Sequence, residues 1–238
     1  MEKPVTLDAP LTSLPGIGPQ RAALFARLNV RTVGELLRLY PRAYEDRTRL
    51  VSIASLEAGT PACFEAAVVT TPRTNRIPKP GSRMLEVTKF TVADDTGRLN
   101  LTFFNAAHSA GALRVGERYC FYGVLTGDFA AYGMTNPLFE PCDGPAHVTR
   151  RILPVYPLTA GLTNSMVLRA QAQAVSRCAG LLPETLPPEL LRRYGLCGAA
   201  EACREIHCPT SAAALGRAQR RLVFEEFFLF SAALAIVR

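Results

Sequence analysis

Residues 84–105, MLEVTKFTVADDTGRLNLTFFN, contain two runs rich in β-branched and aromatic side chains on either side of DDTG, residues 94–97. Such runs are typical of strands, and the four residues between them are typical of a tight turn. The pattern therefore predicts a β-hairpin. Alternate side chains of a strand point to opposite faces, so Phe103 and Phe104 cannot both enter one core. We expect one of these two rings to face outward, which requires a separate explanation.

Three further runs of the same kind complete a set of five predicted strands. The five runs are CFEAAVVT (63–70), MLEVTKFTVAD (84–94), RLNLTFFN (98–105), ERYCFYGVL (117–125) and AYGMTNPLFE (131–140). Five short strands within about 80 residues fit a Greek-key β-barrel of the OB type, a fold that commonly binds nucleic-acid strands. Another small antiparallel barrel or a sandwich is the alternative. The segment TPRTNRIPKPGSR, residues 71–83, contains three prolines and is predicted to be a projecting loop between the first two strands.

Helical patterns precede the predicted barrel. Residues 11–40 contain two short helical patterns, and Thr32 and Glu35 have the spacing of a capping box at the start of the second. Gly16 and Gly18, in the sequence LPGIG, allow a tight turn before the first helix. Backbone N–H groups of such a turn can contact a phosphate, as in half of a helix-hairpin-helix element. A plain helical turn is an equally good interpretation.

Helical patterns also follow the barrel, after an extended and proline-rich crossing that begins near residue 146. The last helix is more apolar than one buried face requires. We therefore expect an α+β fold with three parts: an N-terminal helical region (1–60), an OB-fold barrel (61–145) and a C-terminal region of extended chain and helices (146–238).

The charge of the chain favours a polyanionic partner. Its 27 Lys and Arg residues exceed its 20 Asp and Glu residues, which gives a formal net charge of +7. No acidic residue occurs between residues 66 and 85, while four basic residues do. These candidate phosphate contacts are Arg73, Arg76, Lys79 and Arg83. A solvated basic loop is the alternative.

The sequence lacks the motifs of common enzymes and metal sites. It contains no phosphate-binding P-loop, dinucleotide fingerprint, zinc-protease helix or serine-hydrolase elbow, and Asp94 and Asp95 are better explained as turn residues than as an acid pair. We therefore predict no catalytic residue and no cofactor. The seven cysteines are expected to be reduced thiols. The segment Cys197–Cys208, which includes His207, lacks zinc-site spacing, so ordinary thiols and a surface histidine are expected instead of a metal site.

No apolar run is long enough to span a membrane, and the N-terminus lacks the pattern of a signal peptide. We expect a cytoplasmic protein without a membrane partner.

Several stretches together resemble the amino-terminal part of the bacterial RecG DNA helicases. They are residues 11–50, FTVADDTGRLNLTFFN (90–105), ILPVYPLTAGLTNS (152–165), LPPEL (186–190) and AQRRLVFEEFF (218–228). Their order matches over nearly the whole chain. The combination of YPRAYEDRT, PVYPLTAGL and AQRRLVFEEF is highly specific, whereas the barrel alone would not be.

The resemblance implies a wedge domain that grips branched DNA, such as a replication fork or a Holliday junction, in recombination, DNA repair and fork regression. In this family a helicase motor follows in cis, and ATP and Mg²⁺ belong to that motor. The chain is then a junction-binding fragment or a naturally motorless relative. A single-strand-binding protein is a further implied partner of the longer parent protein.

The resemblance also implies roles for single residues. Phe104 corresponds by position to the aromatic that stacks on a base at the branch point, and Phe103 would then face the barrel core. Without the resemblance, packing of Phe104 under the following helix is an equally good interpretation. A second stacking position lies four residues later, at His108, whose ring is smaller than that of tyrosine. Base stacking on an aromatic contributes about 1–3 kcal/mol and tolerates any sequence.

Two other function classes remain open at this point. One is a protein-interaction scaffold that docks a helicase motor or another replication protein. It need not exclude DNA binding, and binding of a motor domain without DNA would support it, whereas preference for branched DNA with steep salt dependence would support the DNA-binding function. The other is an independent hydrolase, for which the sequence offers no catalytic constellation.

Overall fold

The fold is described from a computed structural model covering residues 5–78, 84–127, 132–144, 146 and 148–237. The chain forms two compact units. One joins the residues up to Glu45 with those from Ile152 onward, and the other spans Asp46–Arg151. We call them the helical unit and the barrel unit.

The helices are α1 Pro19–Ala26, α2 Val33–Leu37, α3 Ala107–Ala110, α4 Asn164–Cys178, α5 Pro188–Tyr194, α6 Ala199–His207 and α7 Ala212–Val237. The strands are β1 Ala43–Asp46, β2 Leu50–Val51, β3 Pro61–Val68, β4 Arg73–Ile77, β5 Leu85–Ala93, β6 Arg98–Phe104, β7 Arg118–Thr126, β8 Gly133–Thr135, β9 Leu138–Pro141 and β10 Ile152–Val155. Short 3-10 turns lie at Leu11–Ser13, Ile53–Ser55 and Ala179–Leu181. None of the helices in this part of the chain is long and apolar enough to cross a membrane.

The helical unit contains an apolar core that α1, α2 and α4 share. Phe25, Leu36 and Val167 are all fully buried there. The predicted capping box at the start of α2 is present, because the Thr32 hydroxyl accepts the Glu35 N–H and the Glu35 carboxylate accepts the Thr32 N–H. This cap fixes where α2 begins and holds its apolar face toward the core.

The barrel unit contains a closed five-stranded barrel. Strands β3, β5, β6, β8 and β7 pair in that order, and β7 pairs back with β3 to close the ring. The β6–β8 pairing is parallel and the other four are antiparallel. Aromatic side chains fill the interior, including Phe64, Phe90 and Phe121. The predicted α+β fold, an OB-type barrel with helical segments before and after it in the chain, is confirmed.

The predicted hairpin turn between β5 and β6 is also present. The Asp94 carboxylate accepts hydrogen bonds from the N–H groups of Ile53, Thr96 and Gly97 at 2.7–2.9 Å. Partial burial raises the pKa of Asp94, but these hydrogen bonds outweigh it and hold that pKa below its ordinary value. Asp94 is therefore a structural turn residue.

Two predictions about the strands are wrong. The run 131–140 contains two strands, β8 and β9, because Asn136 adopts a left-handed conformation (φ 47°) and Pro137 has no N–H to donate. The segment 71–83 is not wholly a loop, because Arg73–Ile77 pairs with β5 as strand β4. Thr74 supports this pairing with a 2.8 Å hydrogen bond to the Thr88 hydroxyl.

Candidate nucleic-acid interface

The two adjacent phenylalanines at the end of β6 face opposite ways. The Phe103 ring is 4% exposed and stacks on Phe90 in the barrel core, with ring centroids 5.7 Å apart. Phe104 is 37% exposed. Its backbone N–H donates to the Asn136 side-chain oxygen at 2.8 Å, which fixes the end of the strand. Phe104 is therefore the outward-facing ring that strand alternation predicts, and its backbone is anchored.

Asn105 turns the chain directly after this ring. Its backbone is left-handed (φ 52°), its N–H donates to the Glu86 carbonyl at 2.8 Å, and its side-chain oxygen accepts the Glu86 N–H at 3.2 Å. Asparagine tolerates this conformation better than most residues. The turn leads into α3, where His108 is exposed. Both predicted stacking residues therefore lie on the surface, on consecutive elements joined by a fixed turn.

Strand β4 carries two of the four predicted phosphate contacts. Arg73 lies opposite Lys89 on β5, and both side chains are exposed. Arg76 lies opposite Glu86 and forms an ion pair with it, with 3.1 Å between Nε and Oε1. The charge of Arg76 is thus partly compensated, whereas Arg73 and Lys89 reinforce each other.

The other two predicted contacts, Lys79 and Arg83, lie outside the described residues.

A groove of about 710 Å³ lies on the outer face of β5, β6 and β8. Two cations, two aromatic residues, an amide and many hydroxyls line it, with no acidic group among the described lining residues. The lining comprises Thr70, Thr71, Arg73, Lys89, Phe90, Thr91, Asn100, Leu101, Thr102, Thr126, Gly127, Tyr132, Gly133, Met134 and Thr135. Cations and hydroxyls suit phosphate oxygens, and an exposed ring suits a base.

The groove and Phe104 share one face of the barrel. Asn100, Thr102 and Phe104 alternate along β6 and so point to the same side. A two-residue step in a strand is about 6.6 Å, so Phe104 lies about that distance beyond Thr102 along this face. Lys89 sits directly opposite Thr102 on β5. The face thus runs from a cationic groove to an exposed aromatic ring.

Three residues associated with this face were not predicted from the sequence. Lys89 lies in a predicted strand between the apolar side chains of β5, and strand alternation would have placed it outward. Tyr132 stands just before β8 and lines the groove. No local sequence pattern indicates the role of Asn136, because this residue is 32 positions from Phe104, whose backbone N–H it accepts.

The glycine turn before α1 has the predicted shape. Gly16 has φ of 78°, Gly18 is the N-cap residue of α1, and Pro19 is its first residue. The Arg21 guanidinium donates to the Gly16 carbonyl at 2.6 Å, which places a positive charge on the turn. Its phosphate-binding role stays a prediction.

His207 is not the surface histidine that the sequence indicated. It is buried, its Nδ1 lies 2.9 Å from the Tyr156 hydroxyl and its Nε2 lies 2.8 Å from the Leu37 carbonyl oxygen. Burial lowers the pKa of His207 to about 4. The apolar face of α6 turns it into the core, so both ring nitrogens have structural partners.

Known proteins resemble this chain over most of its length. The sequence profile of the family described as RecG wedge domain matches residues 11–177. The ATP-dependent DNA helicase RecG of Escherichia coli K12 is 32% identical over 98% of this chain and 34% of that protein. The RecG helicase of Synechocystis is 30% identical over 94% of this chain and 28% of that protein.

A solved structure of RecG bound to a three-way DNA junction matches with a TM-score of 0.84 and 25% identity, over 96% of this chain and 31% of that one. The chain spans about a third of the length of these relatives. Because the family profile covers more than half of the chain and includes the whole barrel, the chain belongs to the RecG wedge domain family.

Proposed function

We propose that this chain binds branched DNA, a replication fork or a Holliday junction, as the wedge of a RecG-like ATP-dependent DNA helicase. The observation that carries the proposal is Phe104, an exposed ring on a backbone anchored by Asn136 and Asn105, at the end of a cationic groove. A solved relative in this family is bound to a three-way DNA junction.

The two parts of this face make different contacts with DNA: the exposed ring contacts a base, and the cationic groove contacts phosphates. Phe104 stacks on the base at the branch, where pairing has ended and a ring face is available, and His108 offers a second, smaller ring. Arg73 and Lys89 bind backbone phosphates of the single-stranded arm that leaves the branch. Neither contact depends on the base sequence, and a protein that acts on any fork must bind independently of sequence.

The remaining steps belong to the longer protein. ATP hydrolysis, Mg²⁺ binding and translocation would come from a helicase motor in cis, and recombination, DNA repair and fork regression would be the processes served. The relatives are ATP-dependent DNA helicases about three times as long as their matched part.

A second role as a docking scaffold is compatible with the first. Helix α7 exposes several large apolar side chains, among them Phe227, Phe230, Leu234 and Ile236. Exposed apolar side chains on one helix indicate a surface that another domain covers. We assign this surface to the motor, and loss of motor binding on replacing Phe227 and Phe230 by serine would support that assignment.

The test of DNA binding compares a three-way fork with linear duplex of equal length across a salt series. Wild type should prefer the fork, and Phe104→Ala should lose that preference by about 5- to 150-fold, the equivalent of 1–3 kcal/mol of stacking. Phe227→Ala removes an exposed ring from the helical unit, 69% exposed against 37% for Phe104, and is the control. Equal binding of fork and duplex by wild type, or an unchanged preference in folded Phe104→Ala, would refute the proposal.

A further inference from the structure

Three strands of the barrel unit bring a carboxylate and two thiols together on the outer side of the barrel. Glu65 on β3 lies directly opposite Cys120 on β7. Cys142 follows the last residue of β9, which is paired with β7. The ligand atoms of these three residues all lie within 4.8 Å of one another.

The distances match those of a small tetrahedral site. The two Sγ atoms are 3.3 Å apart, and the Cys120 Sγ is 3.4 Å from Oε1 of Glu65. Zinc bonds of about 2.3 Å to sulfur and about 2.1 Å to oxygen place tetrahedral ligands about 3.6–3.8 Å apart. The two pairs that include Cys120 therefore need to separate by only a few tenths of an ångström, and Cys142 Sγ lies within 4.8 Å of the Glu65 carboxylate.

Neighbouring groups hold two of these residues in place. Oε2 of Glu65 faces the Arg118 guanidinium at 3.9 Å, which leaves Oε1 toward the thiols. The Arg150 guanidinium donates to the carbonyl oxygens of Pro141, Cys142 and Gly144, which fixes the chain that carries the second thiol. Such partners orient metal ligands and tune their affinity.

We propose that Glu65, Cys120 and Cys142 bind a thiophilic divalent cation of the zinc class. Two sulfur donors and one carboxylate favour zinc over magnesium or calcium, which prefer oxygen ligands only. Binding replaces the two thiol protons, which leave to solvent, and water completes the fourth position, because Glu65 and Cys142 are partly exposed. Sequence spacing gave no sign of this site, since the two cysteines are 22 residues apart.

Cobalt titration of the full chain, reduced and freed of metal, tests the proposal. Wild type should show thiolate-to-cobalt charge-transfer absorption and tetrahedral ligand-field bands that saturate at a single cation per chain, and zinc should displace the cobalt. Cys142→Ser should lose the charge-transfer absorption from that thiolate and weaken zinc binding by more than about 100-fold, beyond the usual effect of losing a ligand's hydrogen-bond partner. Glu65→Gln keeps both thiolates and should keep the absorption at lower affinity.

Cys197→Ser is the matched control, because Cys197 is also a partly exposed cysteine but lies in the helical unit. The Cys197→Ser variant should bind cobalt as wild type does. Thermal unfolding provides a second measurement: zinc should raise the melting temperature of wild type and leave that of Cys142→Ser unchanged. Cobalt spectra without thiolate absorption, equal affinity in Cys142→Ser, or a Cys120–Cys142 disulfide in place of metal in protein purified without reductant would overturn the proposal.

Discussion

Replacing Arg73 and Lys89 together by glutamine tests the groove as a phosphate-binding surface. The two residues face each other across β4 and β5 and both line the groove. Each single-strand phosphate that a cation neutralises contributes about 0.7 to the slope of log affinity against log salt, so two contacts contribute about 1.4. Between about 50 and 200 mM salt, the affinity of wild type for a fork with a single-stranded arm should therefore fall about 7-fold more than that of the double variant.

Fluorescence anisotropy of the labelled fork measures both slopes. The control replaces Arg169 and Arg217 by glutamine, two exposed arginines of the helical unit, and so removes the same charge elsewhere. Both double variants should unfold in urea within about 0.5 kcal/mol of wild type, because the replaced side chains are exposed. A groove variant with the wild-type slope, or a control variant with the same reduction, would refute specific phosphate contacts and leave only a general charge effect.

Three further predictions concern residues that stabilise the barrel unit, which carries the interface. Gly133→Ala should destabilise the fold by about 1–3 kcal/mol in urea unfolding, because the added Cβ would lie 2.8 Å from a carbonyl oxygen of β6, whereas Gly180→Ala meets open space and should be neutral. Asn136→Ala should cost about 1–2 kcal/mol and weaken fork binding, because the Phe104 N–H loses its acceptor; full fork affinity would contradict this. The ionised Asp94 carboxylate stabilises the fold, because its pKa is lower in the folded chain than its ordinary value of 3.8. Stability should therefore decline as the pH falls through and below that value, and Asp94→Asn should reduce the decline; identical acid profiles would contradict this.

Local patterns were sufficient to predict the barrel. Strands β3, β5, β6 and β7 each have their own β-branched and aromatic run. The turn at Asp94 includes hydrogen bonds from Thr96 and Gly97, which lie within three positions of it along the chain. Strand β4 was missed because Pro72 and Pro78 flank it closely, and its residues are stabilised by pairing with β5 instead of by burial. Such a strand has no apolar alternation to detect.

Only those features of the candidate site that follow from side-chain alternation along one strand could be predicted from the sequence. Alternation fixed that Phe103 and Phe104 face opposite ways, and the structure shows which one is buried. The anchoring of Phe104 by Asn136 and the approach of Cys120 to Cys142 depend on strand order, which no local pattern contains. The burial of His207 likewise depends on which face of α6 the rest of its unit covers.

A base analogue at the branch point tests the central claim most directly. A fork with 2-aminopurine at the first unpaired position should lose fluorescence when wild type binds and the Phe104 ring stacks on it. Phe104→Leu keeps an apolar side chain of similar size without a flat face, so it should bind with little quenching. Equal quenching by wild type and Phe104→Leu would contradict the claim that Phe104 is the ring at the branch.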